Sequence, residues 1–110
     1  MPTPDDFFAI EMHVGTVLRA EPFPEARKPA IKLEIDFGAA LGVRRSSAQL
    51  TVHYAPDRLV GRQVVAVTNI GERRIAGFVS QCLVLGAMPS ATEVVLLHPD
   101  HQVENGTRIG

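Results

Sequence analysis

Between Ala30 and Phe37 the chain alternates without a slip. Ile31, Leu33, Ile35 and Phe37 fall on one side; Lys32, Glu34 and Asp36 fall on the other. A period of two sends successive side chains to opposite faces of an extended backbone, so the segment predicts a half-buried β-strand with one wet face. That commits the chain to a sheet.

Strand signals dominate the remainder. Val14 to Glu21 is rich in β-formers and stops at Pro22-Phe23-Pro24, where proline removes ladder donors. Gly38 and Gly42 bracket a short turn, and Val43 to Leu50 reads as a third strand. Thr51 to Val60 lacks alternation, contains Ala55-Pro56-Asp57 and closes at Gly61, which suits a short helix or an irregular turn. Gln63 to Thr68 and Ile75 to Leu85 read as two further strands, joined by a polar loop that carries Arg73 and Arg74. A sixth strand, Glu93 to Leu97, runs up to Pro99, and the tail from Asp100 to Gly110 is rich in turn formers. A helical turn over Asp5 to Ile10 has Thr3 or Asp5 as its cap. Five strands plus an extra one, with a short helix between the third and fourth, is the order of the OB-fold, an all-β Greek-key barrel. An SH3-like barrel or a small sandwich fits the same pattern.

The chain of 110 residues reads as one domain over 1–110, with no internal repeat and no low-complexity segment. A domain of that size buries roughly 65% of its unfolded surface, enough for a core but not for a large internal cavity. No apolar run approaches the ~20 residues that span a bilayer, so membrane insertion is not expected. The start, MPTPDDFFAIEM, is acidic where a signal peptide would be basic, and a cytoplasmic location is expected. The single cysteine, Cys82, lies in the apolar run Cys82-Leu83-Val84-Leu85 and reads as a buried, inert thiol.

The formal net charge is −1, so any basic surface must come from distribution rather than total. On an OB barrel, ligands lie across strands 2 and 3 between the loops that join strands 1–2 and 4–5. Arg27 and Lys28 fall in the first loop, Lys32 on strand 2, Arg44 and Arg45 on strand 3, and Arg73 and Arg74 in the second loop. Seven of the eleven basic residues thus fall on the four elements of the groove. Strand neighbours face opposite ways, so only one of Arg44 and Arg45 is expected in it. Glu25, Glu34, Asp36 and Glu72 lie nearby and dilute the field. An arginine pair on a rigid hairpin suits phosphate or carboxylate, because each guanidinium offers a planar fork of donors. With no Trp and one Tyr there is little to stack bases on, which favours folded RNA held by phosphate and shape over single strands.

No catalytic set emerges, and the domain is expected to be a non-enzyme without cofactor or metal. His98 and His101 have a spacing a metal could use, but Pro99 breaks any helix and no third ligand lies close in sequence. Ser46, Ser47, His53 and Asp57 lack a nucleophile elbow. No phosphate-binding loop or dinucleotide fingerprint is present.

Several landmarks resemble the tRNA-binding domain family, an OB-fold module of some aminoacyl-tRNA synthetases and of free-standing proteins. They are His13-Val14-Gly15-Thr16-Val17, Phe23-Pro24-Glu25-Ala26, Lys32-Leu33-Glu34-Ile35-Asp36-Phe37-Gly38, the run from Leu59 to Asn69, and Gly77-Phe78-Val79-Ser80. Phe23-Pro24-Glu25-Ala26-Arg27, Ile35-Asp36-Phe37-Gly38, Ser46-Ser47-Ala48-Gln49, Arg73-Arg74-Ile75-Ala76-Gly77-Phe78 and Leu83-Val84-Leu85-Gly86 resemble most a free-standing secretion chaperone within the family. The resemblance implies an ATP-independent homodimer, associated with protein export and its machinery, that binds unfolded or precursor polypeptides, with tRNA as the alternative ligand. It carries over Ser46, Ser47, Gln49, Asn69, Arg73, Arg74 and Ser80 as candidate contacts. It departs where relatives have a Ser-Gly pair (Ser46-Ser47 here) and a Gly-Met-Leu element (Gln81-Cys82-Leu83 here). A polypeptide could add to a strand edge, or enter a pocket lined by Phe37, Phe78 and Ile75. The expected dimer interface combines Phe7, Phe8 and Ile10 with His98, Val103 and Ile109. The Phe-Phe pair could equally fold back over the barrel's open end.

Overall fold

The structure, a computed structural model, describes residues 1–110. In chain order the elements are α1 (Pro4–Ala9), β1 (Met12–Pro22), β2 (Ile31–Asp36), α2 (Gly38–Leu41), β3 (Val43–Ala48), α3 (Pro56–Leu59), β4 (Gln63–Val67), β5 (Arg73–Ile75), β6 (Phe78–Ser80), β7 (Leu83–Val84), β8 (Gly86–Ser90) and β9 (Glu93–Leu96). Five strands form one antiparallel sheet in the order β3-β2-β1-β4-β7, while β5-β6 and β8-β9 are separate hairpins.

β2 behaves as its alternation requires. Ile31, Leu33 and Ile35 are buried and Lys32, Glu34 and Asp36 are half-exposed. The inward set joins Val17, Phe37, Leu50, Leu59 and Val64 in the core. β1 is long enough to serve two partners, β4 along Met12 to Thr16 and β2 along Thr16 to Pro22. A register shift between Val17 and Arg19 bends it there, as a bulge does, and the sheet curls. At the bend's near side Gly15 admits the core: a Cβ there would lie 2.6 Å from Ile35 Cγ2 and 2.8 Å from the Phe37 ring.

The sheet's two edges, β3 and β7, approach each other and join only in part. Gln81 supplies the link, its N–H donating to Arg45 O (2.7 Å) and its Oε1 accepting from Arg45 N–H (3.0 Å). Ser46 Oγ donates to Cys82 O at 3.0 Å, and Ser80 Oγ accepts from Ser47 N–H at 3.2 Å. The result is a near-closed five-strand barrel, an OB-fold.

Three sequence expectations need correction. Ile75 to Leu85 is not one strand, because Ala76 and Gly77 both take positive φ (46° and 82°) and turn the chain between Ile75 and Phe78. Two such residues make the tight hairpin turn whose twist matches its strands. Arg73 and Arg74 therefore sit in strand β5 rather than on a loop. β8 lies outside the strands expected from the sequence; although Pro89 sits within it, it forms one arm of a two-stranded hairpin. The Gly38 to Leu41 turn is a single helical turn, α2.

Both chain ends are tied to the barrel. Thr3 and Asp6 form a reciprocal capping box on α1, with Pro4 as its first residue. Asn69 accepts from Glu11 N–H (2.8 Å) and donates to Ala9 O (2.9 Å), and Arg108 donates to Phe8 O (2.8 Å). The tail runs antiparallel to the start of β1 through Val14 N–H to Thr107 O and Ile109 N–H to Met12 O, both 2.9 Å. No helix is long and apolar enough to cross a membrane.

Candidate functional site

The β5–β6 hairpin separates two concave surfaces. Paired residues share a face, so Arg73, Ile75, Phe78 and Ser80 face one way and Arg74 and Val79 the other.

The first surface is a polar hollow of about 140 Å³ lined by Arg19, Glu21, Lys32, Leu33, Glu34, Arg45 and Phe78. Phe23 and Phe78 meet edge to face at 5.5 Å between ring centres. The Lys32 ammonium lies 4.6 Å from the Phe23 ring centre and 5.4 Å from that of Phe78. The Arg45 guanidinium is 5.2 Å from Phe78. Ring faces attract cations, so the aromatic pair restrains both side chains without neutralising them. The nearby acids are engaged elsewhere: Arg19 pairs with Glu34 at 3.4 Å and with Glu21 at 3.8 Å. Lys32 and Arg45 thus face solvent with no carboxylate partner.

The second surface is larger, about 530 Å³, and mainly apolar. Its floor and walls include Ala30, Leu50, Ile75, Leu83, Val84, Leu85, Met88 and Val94, and its rim carries Arg27, Lys28 and Arg73 with Ser47 and Gln49. None of the four ion pairs in the protein involves those three cations. It occupies the seam where β3 and β7 fail to pair.

The structure thus gathers Lys32 and Arg45 in one hollow and Arg27, Lys28, Ser47, Gln49 and Arg73 around the other. The remaining candidates are engaged internally or face away. Arg44 turns to the barrel end, where Nη1 donates to the Thr68 carbonyl, so Arg45 is the one that faces the groove. Ser46 and Ser80 are buried and knit the seam's closed end, and Asn69 fastens α1. Arg74 is exposed on the hairpin's outer face. Of the residues considered for a pocket, Phe37 is fully buried in the core, whereas Ile75 and Phe78 line one surface each.

Phe7, Phe8 and Ile10 are exposed rather than folded over the barrel, with the two rings edge to face at 5.2 Å. His98 is exposed; Val103 and Ile109 are half-buried and bound through their backbones to Gln63 and Met12.

Phe23 as a cation holder went unread in the sequence, as did the apolar wall from Leu83 to Met88. The signal for Phe78 was its place one residue after the Ala76-Gly77 turn, which pairs it with Ile75.

Two buried groups, His13 at the barrel end and Cys82 at the seam, have shifted pKa values. His13 Nδ1 lies 2.8 Å from Thr68 Oγ1, which itself donates to Glu11 O. Burial lowers the imidazole pKa, Glu11 opposes that, and Arg108 and Arg44 reinforce it. Burial pushes the Cys82 thiol up to about 11, which leaves it protonated and unreactive at neutral pH. No group of three or more His, Cys, Asp or Glu side chains is placed to hold a metal.

A family model described as "Putative tRNA binding domain" matches residues 12–108. Methionine–tRNA ligase of Bacteroides fragilis is 32% identical over 105 residues, which are 96% of this chain and 15% of that enzyme. The chain thus spans about 15% of the length of the curated relatives it matches. Among solved structures, chaperone CsaA of Bacillus anthracis is 52% identical over the whole chain and 99% of its own, with a TM-score of 0.95. The CsaA chaperone protein of Picrophilus torridus is 42% identical, whole chain on whole chain, with a TM-score of 0.92. A MetRS-related protein of Pyrococcus horikoshii is 27% identical, over the whole chain and 98% of its own, at 0.87. The chain belongs to the tRNA-binding-domain family, with CsaA proteins among its relatives.

Proposed function

We propose that this domain is an ATP-independent chaperone that binds unfolded or precursor polypeptides. The observation that carries the reading is the seam groove, an open apolar surface rimmed by Arg27, Lys28 and Arg73, none of which forms an ion pair. A folded monomer keeps such a surface small unless something covers it. Apolar side chains of a client lie on the floor, and acidic neighbours meet the rim. The likeness to CsaA chaperones supports this use. The same reading includes an association with protein export, a cytoplasmic location and a homodimer built through Phe7, Phe8, Ile10, His98, Val103 and Ile109, of which Phe7, Phe8 and Ile10 are exposed apolar side chains that a partner copy would cover. In a dimer two grooves act on one client and raise avidity without new contacts.

The test is aggregation of a chemically unfolded client without nucleotide. Suppression should appear at near-stoichiometric protein and weaken on Ile75→Asp. No suppression at several-fold excess, together with no binding to a peptide array, would sink the proposal.

A second reading, tRNA binding, draws on the polar hollow, where Lys32 and Arg45 are held unpaired beside Phe78. Folded RNA would be gripped there by phosphate and shape, with Arg73 and Arg74 adding charge. Affinity should then fall steeply with salt, and Lys32→Ala with Arg45→Ala should make that slope shallower by about 2. An unchanged slope removes the hollow from the RNA site.

A further inference from the structure

The seam differs from an ordinary apolar groove in that both its banks are sheet edges. β3 and β7 end the five-stranded sheet, and Ser47 and Gln49 on one bank face Leu83 and Val84 on the other. In an antiparallel strand a residue's N–H and C=O point to the same side, and successive residues alternate. Ser47 N–H points away from β2, because it donates to Ser80 Oγ, so the Ser47 carbonyl points into the seam as well. Gln49 N–H follows in the same phase and donates to nothing. Across the seam, Leu85 N–H donates to Val65 O, which turns the N–H and C=O of Val84 away from β4. The Ser47 carbonyl and the Gln49 N–H on one bank, and the N–H and C=O of Val84 on the other, therefore point into the seam beside an apolar floor. A side-chain pocket does not need them. A strand does.

We infer that the seam captures its client as an added β-strand: an extended segment, apolar at alternate positions and acidic at one flank, that hydrogen-bonds to the Ser47 carbonyl and the Gln49 N–H and extends the open end of the β3 edge. The inference rests on the polypeptide reading above and specifies its mode. Main-chain pairing explains tolerance of many client sequences, since every residue type offers the same N–H and C=O. The unpaired cations Arg27, Lys28 and Arg73 set the acidic flank.

The test uses the intact protein and a fluorescein-labelled octapeptide of two aspartates followed by alternating valine and threonine. Three forms are compared: unmodified, N-methylated at every valine, and N-methylated at every threonine. Methylation removes the main-chain donor and leaves the side chains in place. Strand addition predicts at least tenfold weaker binding for one or both methylated forms. Equal binding of all three overturns strand addition and leaves polypeptide binding standing. No binding by the unmodified peptide or by a reduced, carboxymethylated client defeats the polypeptide reading itself. On the protein side, Gln49→Pro removes the free donor whereas Gln49→Ala removes only the side chain. Proline should weaken the unmodified peptide about tenfold relative to alanine, with unchanged thermal unfolding as the control. Equal affinity of the two variants counts against the Ser47–Gln49 edge.

Discussion

At the scale of single residues, the barrel depends on a few positions with no latitude. Gly15 lets β1 pass over Ile35 and Phe37 at a distance no side chain tolerates. Gly15→Ala should lose about 1–3 kcal/mol as the core shifts to make room, read as a lower urea midpoint. An unchanged midpoint would mean that β1 moves freely there. His13 is a second such position. Its native pKa lies below the ordinary 6.5, so on acidification the unfolded chain takes up the proton first. Stability is therefore fully present above that value and falls as pH drops through 6.5 toward the native pKa. The charged groups that face it are Glu11, Arg108 and Arg44. His13→Gln should flatten the stability profile between about pH 8 and pH 5. An equally steep profile in the variant would assign the loss to other groups.

At the scale of elements, the β5–β6 hairpin shows what a sequence reveals and what it conceals. The alternation of β2 fixes its inward face without help from the rest of the chain, and the structure keeps Ile31, Leu33 and Ile35 inside. The run from Ile75 to Leu85 carries apolar residues almost throughout, so periodicity could not show where it breaks. The break lies in Ala76-Gly77, a turn pair weaker than Asn-Gly because alanine is held at φ 46°. Ala76→Asn should stabilise the hairpin by up to about 1 kcal/mol, visible as slower amide exchange in β5 and β6. Faster exchange would contradict the turn assignment. The site was legible to a similar degree. Charge placement on a barrel led to Arg27, Lys28, Lys32 and Arg73. It could not separate Arg45 from Arg44, because that depends on which face of β3 meets Thr68. Nor could it show that Ser46, Ser80 and Asn69 spend their polar atoms on the fold, since such partners lie 33 to 60 residues away.

At the scale of the whole molecule, exposed surface decides association. Phe7, Phe8 and Ile10 stand out from α1, and Ile70, Leu83, Met88 and Leu97 are also exposed. If α1 joins two copies as proposed, Phe8→Glu should give a monomer by sedimentation at micromolar concentration, with the barrel's circular dichroism unchanged. A variant that still sediments as a dimer would move the interface elsewhere. The two surfaces beside the β5–β6 hairpin do not coincide, and Phe78 and Ile75 share its inner face. RNA and polypeptide would therefore compete only through that hairpin. Competition between tRNA and a bound peptide should be partial rather than complete.

The antiparallel ladder between the tail and the start of β1 has a mechanical consequence. Met12 pairs with Ile109 and Val14 with Thr107, so the two ends leave the ladder on the same side. A pull applied through Ile10 and Gly110 would load these bonds one after another, like a zipper, rather than all together in shear. A translocating motor that seized either end would meet that bond-by-bond direction first.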